Sequence, residues 1–138
     1  MKTKTLRHAI LFLLSVCFIV SSTTMVSNAV EAEPRYTGIY SLESTIDISP
    51  SGMISCSGSV IGRSGYTIEL TIELQRFDKS WETIETWTKT SSGIMSLEGT
   101  YFVPKNNKDY QVVTTAVVKD SSGKIVESPS KESEVMTY

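Results

Sequence analysis

The sequence predicts an all-β protein, an antiparallel β-sandwich of about seven strands that follows a cleaved signal peptide. Two observations carry this prediction. First, apolar and polar side chains alternate with a period of two along most of the chain after residue 35, whereas helical periodicity is absent there. Second, turn residues recur about every 8–12 residues between these segments, a spacing typical of sandwiches.

Residues 1–29 have the three parts of a secretory signal peptide. A basic head precedes an apolar run over residues 9–20, and a polar stretch then ends at Ala29, where we expect cleavage; Ala32 is a second candidate. The apolar run is shorter than the roughly 20 residues that a membrane span needs. We therefore expect a secreted, extracellular protein with no membrane attachment after cleavage, and one domain over residues 30–138.

Cleavage after Ala29 removes the only histidine, His8, and one of the two cysteines, Cys17. The remaining 109 residues carry all 15 acidic and ten of the 13 basic residues, so the mature net charge is −5. The basic residues are scattered singly, which argues against nucleic acid and anionic membranes as partners. A single cysteine, Cys56, also excludes a disulfide within the mature chain.

Each predicted strand combines the two-residue alternation with a turn signal at its end. The clearest is the third, where Ile68, Leu70, Ile72 and Leu74 share one face. Pro104 ends the fifth strand and Pro129 interrupts the last, because proline cannot donate to a ladder. The predicted strands cover residues 40–48, 53–61, 68–75, 81–89, about 95–103, 110–119 and 124–128, and residues 132–138 resume the last one.

Cys56 lies on the inward face of the second predicted strand. It has the phase of Ile54 and Val60, while serines occupy the other face. We expect it to act as a small buried hydrophobic side chain. The alternative is a reactive thiol or a bridge to another molecule, which the absence of an activating histidine disfavours.

Residues 103–112 resemble the corner of immunoglobulin and fibronectin type III sandwiches. In those folds a tyrosine near the start of the sixth strand bonds back to the backbone, and Tyr110 has that position. Cys56 matches the first disulfide cysteine of immunoglobulin domains, but Val112 stands where the second would be. The inward tryptophan of the third strand is also missing. The resemblance therefore implies fibronectin-like packing without the disulfide.

Residues 36–138 are also similar to a family of short secreted proteins of Gram-positive bacteria with unknown function. The motifs that carry this resemblance are Arg35-Tyr36-Thr37-Gly38, Ser55-Cys56-Ser57-Gly58, Leu74-Gln75-Arg76, the Trp81/Trp87 pair and Asp120-Ser121-Ser122-Gly123. The resemblance implies no activity and no site residues.

Candidate catalytic and metal-binding groups have simpler structural explanations. The mature chain has no histidine to activate a nucleophile. The carboxylate pairs that a glycosidase could use are Glu69/Glu73 and Glu82/Glu85. The loop oxygens that calcium could use belong to Asn106, Asn107, Asp109 and Asp120. The glutamates suit an exposed strand face, and the loop residues suit turns. We expect no enzymatic activity, no cofactor and no metal.

An aromatic hairpin is the sharpest candidate for a ligand site. If Phe77 and Trp81 flank a three-residue loop, they lie opposite each other on the outer face, and Glu85 and Trp87 continue along it. Such a platform suits sugars, because aromatic faces stack on their C–H surfaces while polar neighbours bind hydroxyl groups. A hairpin register shifted by one residue would instead place both tryptophans in the core.

These observations favour a secreted, non-enzymatic module that binds a cell-surface glycan or an extracellular protein. The alternative is a structural or self-assembling surface protein, in which a terminal strand at residues 125–126 or 135–138 adds to a neighbour's sheet. A small secreted enzyme is the third hypothesis. The sequence leaves the ligand and the oligomeric state open.

Overall fold

The computed structural model describes residues 35–138, and the predicted signal peptide with its cleavage site lies outside the described residues. The described chain is all-β, with nine strands in two antiparallel sheets. The strands are β1 (Ile39–Ile48), β2 (Met53–Gly62), β3 (Thr67–Phe77), β4 (Trp81–Ser91), β5 (Ile94–Phe102), β6 (Asp109–Lys119), β7 (Ile125–Glu127), β8 (Ser130–Glu132) and β9 (Met136–Thr137). The described residues include no helix with the length and apolar character needed to cross a membrane.

The first sheet has the strand order β1-β2-β5, and we call it sheet A. The second, sheet B, has the order β4-β3-β6, and β7, β8 and β9 all pair with the far side of β6. The two sheets pack face to face around apolar side chains that both contribute. Short hairpin loops join β1 to β2 and β3 to β4 within one sheet, whereas the connections after β2, β4 and β5 cross to the other sheet.

The last strand differs from the sequence prediction of one strand interrupted at Pro129. It consists of three short segments that pair in turn with β6. Pro129 lies between β7 and β8, and its carbonyl oxygen still accepts a hydrogen bond from the Ala116 N–H at 2.9 Å. Farther along, the Ser133 hydroxyl accepts from the Val112 N–H at 2.9 Å. A side chain thus takes the place of a backbone partner where the ladder is broken.

The core has two halves, and each contains side chains from both sheets. One half contains Ile39, Leu42, Val60, Ile68, Leu70, Met95, Ala116 and Val118. The other contains Ile46, Ile54, Cys56, Ile72, Leu74, Val103, Tyr110 and Val112. All four apolar side chains of the third predicted strand are fully buried, as their alternation predicts.

One buried polar contact crosses the core. Ser44 of β1 donates its hydroxyl to the Val112 carbonyl oxygen at 2.9 Å, and Thr114 of β6 donates to the Ser44 hydroxyl at 2.9 Å. Because both hydroxyls are satisfied, their burial carries little desolvation penalty. The contact ties the edge strand of sheet A to the central strand of sheet B.

The loops at one end of the two sheets are held together by side chains. Lys108, before β6, forms an ion pair with Asp78 in the β3–β4 loop. Tyr138, the last residue, donates its hydroxyl to the Pro50 carbonyl oxygen in the β1–β2 loop at 3.0 Å. These contacts connect the β3–β4 loop to the segment before β6, and the C-terminal residue to the β1–β2 loop.

Candidate functional site

Phe77 and Trp81 form an exposed aromatic pair at the tip of the β3–β4 hairpin. They are direct cross-strand partners on either side of a three-residue loop. Their ring centroids are 5.4 Å apart and their planes meet at 64°, an edge-to-face arrangement. Phe77 is 41% and Trp81 37% exposed. The sequence predicts this arrangement, and the hairpin register agrees with it.

The loop between these rings is closed without glycine. Lys79, its middle residue, has a φ of 136°, a region that side chains other than glycine rarely adopt. The Asp78 N–H donates to the Ser80 carbonyl oxygen at 3.1 Å. The Lys108 ammonium holds the pKa of the Asp78 carboxyl below its ordinary value, first through a hydrogen bond and then through its charge. These contacts fix the hairpin end that carries the rings.

Next to the aromatic pair, four polar side chains form a row on the same outer face. Gln111 donates its amide to Gln75 at 2.9 Å, Gln75 donates to the Thr83 hydroxyl at 3.5 Å, and Thr83 donates to a Glu73 carboxylate oxygen at 3.4 Å. Gln75 pairs directly with both Gln111 and Thr83, so three strands contribute to one row. Two residues along β3 separate this row from Phe77, a distance of about 7 Å.

The structure places Trp87 on the inner face, where the sequence prediction of a shared face with Trp81 is wrong. The register of β3 and β4 shifts between Leu74 and Gln75, and Ile84 is the extra residue of a β-bulge. After the bulge, Trp87 lies opposite the buried Ile72.

The indole of Trp87 lies against Gly99 of β5. A Cβ atom built on Gly99 would be 2.3 Å from the nearest indole carbon, so only glycine leaves room for the ring there. Trp87 therefore covers the core where the edge strands of the two sheets, β4 and β5, face each other. The sequence left two arrangements open, with both tryptophans on the outer face or both in the core. The structure has neither, because the hairpin register is the expected one and Trp87 alone turns inward.

Glu85 is also separated from the aromatic pair by the bulge. It pairs with Leu74, and its carboxylate accepts a hydrogen bond from the N–H of its neighbour Thr86 at 3.1 Å. The structure therefore brings together Phe77 and Trp81 of the predicted platform but not Glu85 and Trp87. Sequence reasoning missed Gln75 and Gln111 as neighbours of the rings. The matching outward phase of Gln75 and Phe77 was the available signal for the first.

Cys56 and Val112, which have the two positions of the immunoglobulin disulfide, are both buried in the same half of the core. The Cys56 side chain is 2% exposed, and Val112 is fully buried. Burial raises the pKa of the Cys56 thiol to about 12, because an apolar surrounding disfavours the thiolate. A thiol in this state is a poor nucleophile.

Tyr110 occupies the predicted corner, although its hydroxyl has a different partner. The side chain is fully buried, and the hydroxyl accepts a hydrogen bond from the Asn106 side-chain amide at 2.8 Å. The resemblance implies a bond to the backbone instead. Here a side chain four residues upstream makes the bond and holds the loop before β6 against the core.

Three of the four loop residues considered for calcium, Asn106, Asp109 and Asp120, have side-chain oxygens engaged in local hydrogen bonds. Asp120 accepts from the Ser122 N–H at 2.9 Å, from the Ser122 hydroxyl at 2.6 Å and from the Lys124 N–H at 3.1 Å. The hydroxyl bond is the largest cause that lowers the pKa of the Asp120 carboxyl. Asp109 accepts from the Thr137 hydroxyl at 2.6 Å. Across residues 35–138, no cluster of three or more potential metal ligands is found.

The carboxylate pairs considered for a glycosidase have separate partners. Glu69 pairs with Lys119 at 3.4 Å, and Glu82 lies 4.0 Å from Arg76. These are exposed or half-exposed ion pairs, which contribute little to stability. They do not form a shared site.

The outer face of sheet A carries a shallow depression of about 370 Å³. Small side chains on β2 form its floor, and its outward-facing lining residues are Thr45, Asp47, Ser55, Ser57, Glu98 and Thr100. The depression lies on the opposite side of the molecule from the aromatic pair.

No protein-family model and no curated protein sequence matches this chain.

Proposed function

We propose that this chain is a secreted, non-enzymatic binding module that engages a cell-surface glycan through Phe77 and Trp81. The observation that carries the proposal is an exposed pair of rings beside the polar groups of Gln75, Thr83 and Glu73, with the buried Gln111 holding Gln75 from the inner strand. Aromatic faces stack on the C–H surfaces of a sugar ring, and hydrogen-bonding groups about one sugar width away bind its hydroxyls.

The angle of 64° between the rings favours one kind of glycan ligand. Two rings in one plane would suit a flat, crystalline polysaccharide surface. Two rings that meet at an angle form a corner, which suits a single sugar unit or the end of a soluble chain. We therefore expect this module to prefer soluble or peripheral glycan chains over crystalline ones.

The finer fold assignment is part of the proposal. Sheet orders of β1-β2-β5 and β4-β3-β6, with the last strand at the edge beside β6, support a relationship to fibronectin type III and immunoglobulin sandwiches. Secretion is supported by the signal-peptide pattern of residues 1–29. Membership of the Gram-positive family of unknown function stays a prediction from the motifs.

Retention on glycans tests the proposal directly. The purified secreted protein is passed over soluble oligosaccharide arrays, insoluble glycans and whole cell walls, beside Trp81→Ala and Phe77→Ala. Ile94→Ala is the matched control, because Ile94 is the most exposed large apolar side chain among residues 35–138 (82%) and lies at the other end of the sheets. Circular dichroism verifies that each variant is folded.

We expect Trp81→Ala to weaken binding at least tenfold, which corresponds to about 1.4 kcal/mol, while Ile94→Ala binds as the unchanged protein does. Trp87→Phe leaves Trp81 as the single tryptophan, so glycan addition should still change the tryptophan emission. Binding to no glycan, or equal binding by folded Trp81→Ala, would overturn the proposal. Capture of an extracellular protein through the same side chains would replace a glycan with a protein ligand.

A further inference from the structure

The free edge of β4 is the longest regular strand edge of sheet B. Within the described chain, β4 pairs with β3 and with no other strand. It has 11 residues, most of them exposed. The opposite edge of sheet B is broken into segments of two or three residues, which is how proteins protect an edge from further pairing. The β4 edge lacks that interruption over its second half.

Two features mark the ends of this regular stretch. The bulge at Ile84 breaks the ladder on one side, and β4 ends at Ser91 on the other. Seven residues, 85–91, remain between them, and their midpoint is Thr88. We propose that a second copy of this chain pairs antiparallel with β4 over residues 85–91, with Thr88 on the twofold axis, so that the two B sheets join into one.

The side chains are complementary to their own copy in this register. On the outer face, Thr88 lies opposite its equivalent and Thr86 opposite Thr90. Cross-strand threonine pairs stabilise antiparallel sheets, and Thr88 already makes one with Thr71, whose hydroxyl is 3.1 Å away. No pair brings like charges together, and each copy adds backbone hydrogen bonds to an edge that lacks them.

On the inner face, the same register places Trp87 opposite Lys89 of the second copy. Both side chains already lie beside β5, since Trp87 rests on Gly99 and the Lys89 ammonium donates to the Ser96 carbonyl oxygen at 3.4 Å. An ammonium group near an indole face gains a cation–π attraction. A lysine on an edge normally opposes pairing, but here its charge meets a ring.

The paired sheets would carry two aromatic pairs on one side. Directly opposite residues of antiparallel strands point to the same face, so both outer faces stay on the same side of the joined sheet. The two Trp81 positions are 14 strand positions apart, which is about 48 Å. If the proposed glycan site is correct, this dimer is bivalent and gains avidity on a repeating polymer. The dimer itself does not depend on that site.

Sedimentation equilibrium of the purified secreted protein over a wide concentration range tests the pairing. Thr88→Lys places two ammonium groups opposite each other, and we expect it to raise the dimer dissociation constant at least tenfold. Thr115→Lys is the matched control, because Thr115 lies in the same row of the outer face on the inner strand β6. It should dimerise as the unchanged protein does.

Cysteine cross-linking tests the register separately. Thr88→Cys puts two thiols opposite each other, close enough for a disulfide after small adjustments, whereas Thr115→Cys does not. The native thiol of Cys56 is 2% exposed and does not compete. We expect a disulfide-linked dimer from Thr88→Cys and none from Thr115→Cys.

Three results would overturn the dimer: a monomer at every concentration, a Thr88→Lys variant that dimerises normally, or equal cross-linking by both cysteine variants. The glycan site fails by a different result. If folded Trp81→Ala still binds glycan while Thr88→Lys is monomeric, the dimer stands and the proposed site falls. If both hold, Thr88→Lys keeps its affinity for a soluble oligosaccharide and is retained less on the polymer.

Discussion

The close contact between Trp87 and Gly99 predicts a strong energetic coupling between the two positions. Gly99→Ala adds one methyl group in a strand whose φ at that position is not in the left-handed region. The added Cβ would be 2.3, 2.4 and 2.7 Å from three indole carbons. Ordinary van der Waals contacts are 3.4 Å or longer, so the indole must move away from β5.

The magnitude follows from two opposing effects. Overpacking a well-filled contact lowers the free energy of unfolding by about 1–3 kcal/mol. Replacing glycine by alanine within a strand raises it by about 0.5–1 kcal/mol. We therefore expect Gly99→Ala to lower the free energy of unfolding by about 1–2 kcal/mol. In a Trp87→Ala background the clash is gone, and the same substitution should raise it by about 0.5–1 kcal/mol. The coupling energy is then about 1.5–3 kcal/mol.

Urea denaturation of the four proteins in this double-mutant cycle measures the coupling, provided that the m-values agree. Trp87→Leu replaces Trp87→Ala if the alanine variant does not fold, because leucine also removes the indole. Additive effects would show that Trp87 does not lie on Gly99. Such a result would return Trp87 to the outer face that the sequence alternation alone predicts.

Three further predictions concern single groups. Burial raises the pKa of the Cys56 thiol from 9.0 to about 12, so the stabilisation from the protonated thiol is complete below pH 9.0 and is lost as the pH rises towards 12. The free energy of unfolding should therefore fall more steeply between pH 9.0 and 12 in the unchanged protein than in Cys56→Ala. Parallel curves of unfolding free energy against pH for the two proteins would contradict this. Lys108→Ala should raise the pKa of Asp78 towards its ordinary value, as measured by an NMR titration. The ion pair stabilises the fold above the unfolded-state pKa of Asp78 and stops doing so as the pH falls, and this stabilisation should be absent from the variant. An unchanged titration of Asp78 would show that the ion pair is absent in solution. Lys79→Gly relieves a φ of 136° and should raise the free energy of unfolding by about 1 kcal/mol, seen as a higher Tm, whereas a lower Tm would show that the loop is not strained.

Local alternation was sufficient to predict much of the fold. The inward phase of Ile68 and Leu70, and of Cys56 on the next strand, follows from a period of two and a single buried face. The hairpin register at Phe77 and Trp81 was also predictable, because a short loop fixes which residues are opposite. Both are decided by residues close together in sequence.

The bulge at Ile84 could not be predicted in the same way. Ile84 and Trp87 are three residues apart, so a regular strand would point them to opposite faces. An extra residue in the ladder lets both apolar side chains pack against the core. The space that receives the indole exists only because Gly99, on a strand of the other sheet, has no side chain.

The sequence by itself determined the all-β class, the positions of the first six strands and the exposed aromatic pair, because each depends on alternation and turns within a few residues. The tertiary structure decided which strands are neighbours, where the last strand breaks, which tryptophan is exposed and how Gln111 meets Gln75. These features depend on contacts between residues far apart in the chain. Only the packing of one sheet on the other selects them, since each is compatible with the same local pattern.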